Sequence, residues 1–209
     1  MSNVSIGGYI YPNAELNYSH SYILPTVYHL LDSLNLQSGD RRIFELGCGN
    51  GSTAAYLTQQ GFEVVGIDPS VDGITNAQRE YPNIKLALGD CYSDLAEQYG
   101  RFPVVLSLEV VEHVFLPREF ARRVYELLDE EGVAIISTPF HGYWKNLALA
   151  LSGKMDAHFT ALWDYGHIKF WSEQTLAQLL REVGFKSVEF ERVGRIRPLA
   201  KSMIAVARK

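Results

Sequence analysis

Glu45 stands at the head of Leu46-Gly47-Cys48-Gly49-Asn50-Gly51, so a carboxylate guards a bend with glycine at every second position. Glycine supplies the positive φ and the close backbone approach that such a bend allows a ligand. The dinucleotide fingerprint G-x-G-x-x-G does not fit. Gly47 and Gly49 match it, but the third position is Ser52, and Glu45 would meet a diphosphate with like charge. An acid beside a bare bend suits instead a nucleoside that carries an amine and a positive centre.

Two further acids fall where such a ligand would need them. Asp68, 23 positions after Glu45 and just before Pro69, ends a predicted strand, where an acid can accept hydrogen bonds from ribose hydroxyls. Its alternative role is to cap the following helix. Asp90, in Gly89-Asp90-Cys91, can accept from an adenine amino group while the neighbouring backbone N–H meets a ring nitrogen; it too has a capping alternative. S-adenosylmethionine is a ligand with all of these features.

A second constellation, Ser107-Leu108-Glu109-Val110-Val111-Glu112-His113-Val114, follows a predicted strand at the edge where open sheets bind ligands. Glu109 and Glu112 are spaced i, i+3 and His113 lies at i, i+4, so one helical turn would present all three on one side. The bland alternative has Glu109 touching ligand, Glu112 capping a helix and His113 packed beneath the sheet. His167, in Asp164-Tyr-Gly-His-Ile-Lys-Phe-Trp-Ser172, precedes the last predicted helix, for which Ser172 reads as the N-cap. His113 and His167 are the candidate catalytic bases, with His141 a third, because an imidazole titrates near neutrality. A structural role is the alternative for each.

These residues are positioned by an alternation of strands and helices. Strands are expected at 42–46, 63–67, 84–88, 103–108 and 133–137, and helices at 52–60, 71–81, 93–99, 118–128 and 173–183. Strands that are apolar on both faces and alternate with helices imply a parallel sheet covered on two sides. Strands at 186–193 and 202–207 are separated by too little chain for a helix, so they should pair antiparallel. Upstream, a helix is expected from Pro25 to Leu36, ending before Ser38-Gly39. Residues 1 to 21 form an expected arm whose Tyr9, Tyr11, Tyr18 and His20 suggest a lid over the ligand as readily as plain packing.

Between Pro139 and Trp171 the rhythm breaks, and this stretch holds Phe140, Tyr143, Trp144, Phe159, Trp163, Tyr165, Phe170 and Trp171. It is the expected cover for a small organic acceptor. Leu147 to Leu151, between Lys145 and Lys154, could instead rest weakly on a membrane surface or a lipid-like quinone.

The chain has 209 residues, 47% apolar and 21% charged, which suits one soluble domain. A net charge of −5 argues against a broad basic surface for nucleic acid. Cys48 and Cys91 are the two cysteines, too few for a disulfide framework. With no signal-like N-terminus and no apolar run of ~20 residues, a soluble cytoplasmic protein is expected.

Glu45-Leu-Gly47-Cys-Gly49-Asn-Gly51 resembles the first motif, E/D-x-G-x-G-x-G, of the class I S-adenosylmethionine-dependent methyltransferases. The resemblance is strong over residues 40 to 138 and loose beyond. It implies a Rossmann-like methyltransferase fold: doubly wound α/β, a mostly parallel seven-stranded sheet with an antiparallel final strand. S-adenosylmethionine is the implied cofactor, contacted by Glu45, Gly47, Cys48, Gly49, Gly51, Asp68, Pro69, Asp90, Cys91, Leu108 and Glu109. The segment Glu109-Val-Val-Glu112-His113 also resembles the E-V-x-E-H of the ubiquinone-biosynthesis O-methyltransferases and the small-RNA 2′-O-methyltransferases. In those groups it implies that two glutamates and a histidine can hold a divalent metal. Two carboxylates and an imidazole suit a transition metal better than magnesium, although metal-independent relatives carry E-x-x-E-H as well. The expected activity is methyl transfer to a small-molecule hydroxyl. The rivals are a metal-assisted RNA 2′-O-methyltransferase, a non-catalytic cofactor-binding module and a nicotinamide-dependent dehydrogenase.

Overall fold

The structure is a computed structural model that describes residues 11–34, 36, 40–164 and 166–209. The expected Tyr9 contact, the Ser38-Gly39 helix stop and Tyr165 lie outside the described residues.

In chain order the elements are α1 (His20–Ser33), β1 (Arg42–Leu46), α2 (Ser52–Gln59), β2 (Glu63–Asp68), α3 (Val71–Glu80), β3 (Lys85–Leu88), α4 (Leu95–Tyr99), β4 (Phe102–Leu108), α5 (Pro117–Leu127) and β5 (Leu128–Pro139). There follow α6 (Tyr143–Leu151), α7 (Met155–Phe159), α8 (Glu173–Glu182), β6 (Ser187–Val193) and β7 (Ser202–Arg208). The described residues form a seven-stranded sheet in the order β3-β2-β1-β4-β5-β7-β6, with β7 antiparallel to both neighbours and the first five strands parallel.

Neighbouring residues of β1 show why both faces are covered. Phe44 packs with the buried residues of α5 and α8, while Ile43 packs with α1, α2 and α3, and both are fully buried. A strand has period two, so an unbroken apolar run needs a layer of helices on each side. Helix α5 shows the complementary pattern, burying Phe120, Ala121, Val124 and Leu127 along one stripe.

The chain starts at β1, builds outward to β3, then returns to add β4 beside β1. The loops after β1 and β4 therefore leave the sheet in opposite directions and open a crevice between them. The expected pairing of the last two strands is present, and β7 is also inserted between β5 and β6. Burial accounts for this placement. Met203 to Ala207 is apolar throughout and sits inside the sheet, whereas Ser187-Val-Glu-Phe-Glu-Arg-Val193 alternates and forms the edge.

Several features differ from expectation. α1 begins at His20 rather than Pro25, because Asn17 Oδ1 accepts the backbone N–H groups of Ser19 and His20 and opens the helix earlier. β5 begins at Leu128, directly after α5, because Leu128 already pairs with Phe102. The stretch after Pro139 carries its own helices, α6 and α7.

Candidate functional site

The glycine bend has the geometry its sequence requires. Gly49 has φ +52°, and a Cβ there would lie 2.6 Å from the Tyr11 hydroxyl oxygen. Gly47 has φ +87°, and a Cβ on it would collide with Val110. The N–H groups of Gly47 and Cys48 both donate to the Ile67 carbonyl, at 2.8 and 2.9 Å, which pins the bend to β2.

Glu45 is 2% exposed, and its buried Oε2 has no hydrogen-bond partner. Burial, reinforced by the charge of Asp68, pushes its carboxyl up to about 8. An orphaned acid at a ligand crevice is the complement of a positively charged group. Asp68 accepts from Gly49 N–H at 2.9 Å and from Ser70 N–H at 2.8 Å, and burial raises it to about 6. Ser70, not Asp68, caps α3, accepting from Gly73 N–H at 3.0 Å. The capping alternative for Asp68 is thereby removed, while both of its oxygens keep a lone pair for ligand.

A cavity of about 280 Å³ lies over the bend, walled by Glu45, the three residues Gly47 to Gly49, Asp68, Pro69, Leu108 and Glu109, with His113 and His167 at one side. Gly51 stands outside that wall, in the turn behind it, where a Cβ would meet Leu86 and Ala77. A smaller cavity of about 170 Å³ shares Gly47, Pro69, Val110 and His113 with it and is closed by Ile67, Asp90, Cys91 and Tyr92. The Asp90 carboxylate accepts from the N–H groups of Tyr92 and Ser93 at 2.7 and 3.0 Å, so it shapes its own loop while facing this second cavity. The two cavities share part of their wall, and the orphaned Glu45 and the Cβ-free bend fit S-adenosylmethionine.

Part of the arm folds over this site. Asn50 donates to the carbonyls of Asn13 and Glu15, at 2.9 Å each, Tyr11 N–H donates to Asp72 at 2.9 Å, and the Tyr81 hydroxyl donates to the Ala14 carbonyl at 2.7 Å. Tyr11, Asn17, Ser19 and His20 thereby become part of the cavity wall.

The segment after β4 corrects an expectation. Residues 109 to 114 form turns rather than a helical turn, and Glu109 has φ +55°. Ser137 holds it there: Glu109 N–H donates to the Ser137 carbonyl at 3.1 Å, and Ser137 Oγ donates to Glu109 Oε1 at 2.8 Å. The Ser202 hydroxyl reaches the other oxygen at 3.4 Å. Glu109 therefore leaves the set formed with Glu112 and His113, and His167 takes its place. Ligand atoms of Glu112, His113 and His167 lie within 4.8 Å of one another. His167 is brought there by backbone bonds, since the N–H groups of Ile168 and Lys169 both donate to the Glu112 carbonyl, at 2.9 and 3.0 Å.

Glu112 is 1% exposed and neither of its oxygens accepts a hydrogen bond, with His167 Nε2 standing 3.9 Å from Oε1. Burial, with the Glu109 charge behind it, pushes its carboxyl well above the usual range. Two orphaned oxygens beside two imidazoles fit a divalent transition metal. Burial and the neighbouring histidines lower His167 to about 4, so its ring is neutral at physiological pH. His113 lines both ligand cavities rather than packing beneath the sheet.

A third cavity, of about 540 Å³, opens on the other side of Glu109 and His167, which belong to the walls of both it and the nucleoside cavity. Its remaining wall includes Tyr22, His141, Lys145, Phe170, Lys201 and Ser202. Of these, sequence reasoning singled out His141 as a base and gave Phe170 to the cover. Tyr22, Lys201 and Ser202 come from α1 and the C-terminal strand region and carry no local signal. Lys145 had one: it is the lone charged residue of a mostly apolar helix.

A glycine bend guarded by an orphaned acid, with a ribose-type acid on the next strand, at the switch point of a parallel sheet whose last strand runs backward, defines the S-adenosylmethionine-dependent methyltransferase class. The "Methyltransferase domain" family model matches residues 22–189, and the chain belongs to that family. Among curated proteins it is similar to the ubiquinone biosynthesis O-methyltransferase of Azorhizobium caulinodans, 34% identical over 152 residues, or 71% of this chain and 58% of that one. Its counterpart from Bradyrhizobium diazoefficiens is 36% identical over 124 residues, 58% of this chain and 48% of that protein. The chain thus spans about half the length of the curated relatives it matches. The fold is shared with a SAM-dependent methyltransferase from Archaeoglobus fulgidus, with TM-score 0.64, 16% identity and coverage of 89% of this chain and 94% of that one. Among the described residues, no helix is long and apolar enough to cross a membrane.

Proposed function

We propose that this chain transfers the methyl group of S-adenosylmethionine to a hydroxyl oxygen of a small organic acceptor. The observation that carries this reading is the shared wall: Glu109 and His167 line both the nucleoside cavity and the larger cavity beyond it. A donor and an acceptor in adjoining cavities can be aligned for in-line attack at that boundary. The names of the similar curated proteins support oxygen as the site of transfer.

When bound, the cofactor supplies an electrophilic methyl group on a sulfonium. The chain's own residues align the partners and take up a proton. Glu45 presents an unpaired acid to the cationic amino-acid end, and Asp68 presents its free lone pairs to the ribose. Glu109, raised to about 7 by burial and steadied by Ser137, can accept the acceptor's proton near neutral pH. His167 stands beside it as a neutral acceptor. Residues 139 to 171, with α6 and α7, form the cover over the acceptor.

The test is incubation of the purified protein with methyl-labelled S-adenosylmethionine and a pool of phenols and alcohols. O-methylated product together with S-adenosylhomocysteine is expected; label found solely on nitrogen or carbon would contradict the oxygen assignment. A metal-assisted version has its own support in the Glu112, His113 and His167 cluster. A divalent ion held there would acidify a nearby hydroxyl. Activity that survives exhaustive chelation unchanged removes that version.

A further inference from the structure

Helix α6 places its residues against their polarity. The residue it buries is Lys145, 8% exposed, while Tyr143, Trp144 and Leu151 stand 73%, 64% and 81% exposed. Burying an ammonium is far more costly than burying any of those three side chains. Its Nζ donates to the Lys201 carbonyl at 3.1 Å, and no carboxylate lies within 4.0 Å of it among the described residues. An ammonium has three donors, so this arrangement leaves it short of acceptors.

The surroundings add to the imbalance. Lys145, Lys154, Arg195 and Lys201 all line the 540 Å³ cavity, and none is ion-paired among the described residues, although Lys201 Nζ donates to the Tyr18 hydroxyl at 2.6 Å and lies over the Tyr18 and Tyr22 rings, keeping its remaining donors for a ligand. Glu109, at the boundary with the nucleoside cavity, is the one carboxylate in that wall. A chain with net charge −5 has therefore concentrated four cations around a cavity whose remaining walls include Tyr22, Leu149 and Phe170. Cations converging on a low-dielectric cleft focus a positive field into it. A neutral acceptor would leave Lys145 buried and underpaired.

We propose that the acceptor carries an anionic group, such as a carboxylate, seated on Lys145, Arg195 and Lys201, with the hydroxyl to be methylated directed at Glu109 and His167. This rests on the reading of the chain as a small-molecule O-methyltransferase and narrows its substrate class. Burial, with the charge of Arg195 behind it and that of Glu109 opposing, lowers Lys145 to about 8, so the site remains largely cationic at neutral pH. The aromatic wall suits a flat ring between the anion and the reacting oxygen.

The protein loaded with S-adenosylhomocysteine is titrated by calorimetry with 3,4-dihydroxybenzoate and with catechol, which has the same hydroxyls and no carboxylate. The benzoate is expected to bind at least about tenfold more tightly, and its advantage to shrink in roughly 0.5 M salt. Lys145→Met, and independently the surface-tolerated Arg195→Gln, should each remove about tenfold of benzoate affinity while catechol and S-adenosylhomocysteine affinities stay within about twofold. Equal affinities for the two acceptors, variants that weaken both alike, or no benzoate binding at roughly 10 mM overturns the proposal. Because this complex cannot turn over, failure of the methyl-transfer reading shows separately, as benzoate that binds yet is not methylated once S-adenosylmethionine replaces the product.

Discussion

The carboxylate of Asp68 accepts a 2.9 Å hydrogen bond from the backbone N–H of Gly49, so the end of β2 is tied to the glycine bend after β1. One side chain therefore both shapes the loop and offers its remaining lone pairs to a ribose. Asp68→Ala should weaken S-adenosylmethionine binding by about 1–3 kcal/mol, with Asp68→Asn intermediate. Calorimetry checks this, and unchanged affinity in the alanine variant would mean that the acid serves the loop alone.

Gly49→Val should abolish cofactor binding. The new side chain needs a left-handed backbone that β-branched residues resist, and its Cβ would displace the Tyr11 ring from the cavity wall. A strained position costs roughly 1–3 kcal/mol, or about 2–12 °C of melting temperature for a chain of this size. A variant that melts a few degrees lower and binds no cofactor is the expected result; wild-type affinity would show that ligand does not lie on this bend.

Glu45 gives the unliganded protein an unusual pH dependence. Folding raises its pKa from 4.5 to about 8, and that of Asp68 from 3.8 to about 6. The folded chain keeps its protons where the unfolded chain has lost them, so their contribution is fully present below about pH 4 and is lost as the pH climbs through 6 and then 8. Unliganded protein should melt several degrees lower at pH 8 than at pH 5.5, in the same ionic strength. Glu45→Gln should flatten that slope and bind S-adenosylmethionine more weakly. A flat wild-type profile would show that Glu45 ionises normally.

Glu109→Gln separates two roles. If Glu109 takes the acceptor's proton, kcat should fall by about 10²–10⁴-fold while cofactor affinity changes little. A change confined to cofactor affinity would make it a wall of the nucleoside cavity, which is the role its sequence position suggests.

Much of this was legible because it is local. Glycines 47, 49 and 51, the acids at strand ends and the alternation of apolar strands with helices are properties of short windows, and the structure reproduces them to within a few residues in most elements. Residues 109 to 114 were misread for the same reason. The i, i+3, i+4 spacing looks helical in isolation, yet the backbone of Glu109 is set by Ser137, 28 residues away on β5. Its metal-type partners changed with it.

The sequence by itself determined the donor half of the molecule: the bend, its guarding acid and the strands that carry them, because strand periodicity and glycine's freedom act over a few residues. Tertiary structure alone decided which residues meet around the 540 Å³ cavity. Tyr22 from α1, Lys145 from α6 and Lys201 beside β7 share one cavity because β7 is inserted next to β5, which brings the end of the chain back across the crevice. No short window encodes that meeting, since strand order is set by which of β6 and β7 the whole sheet can bury.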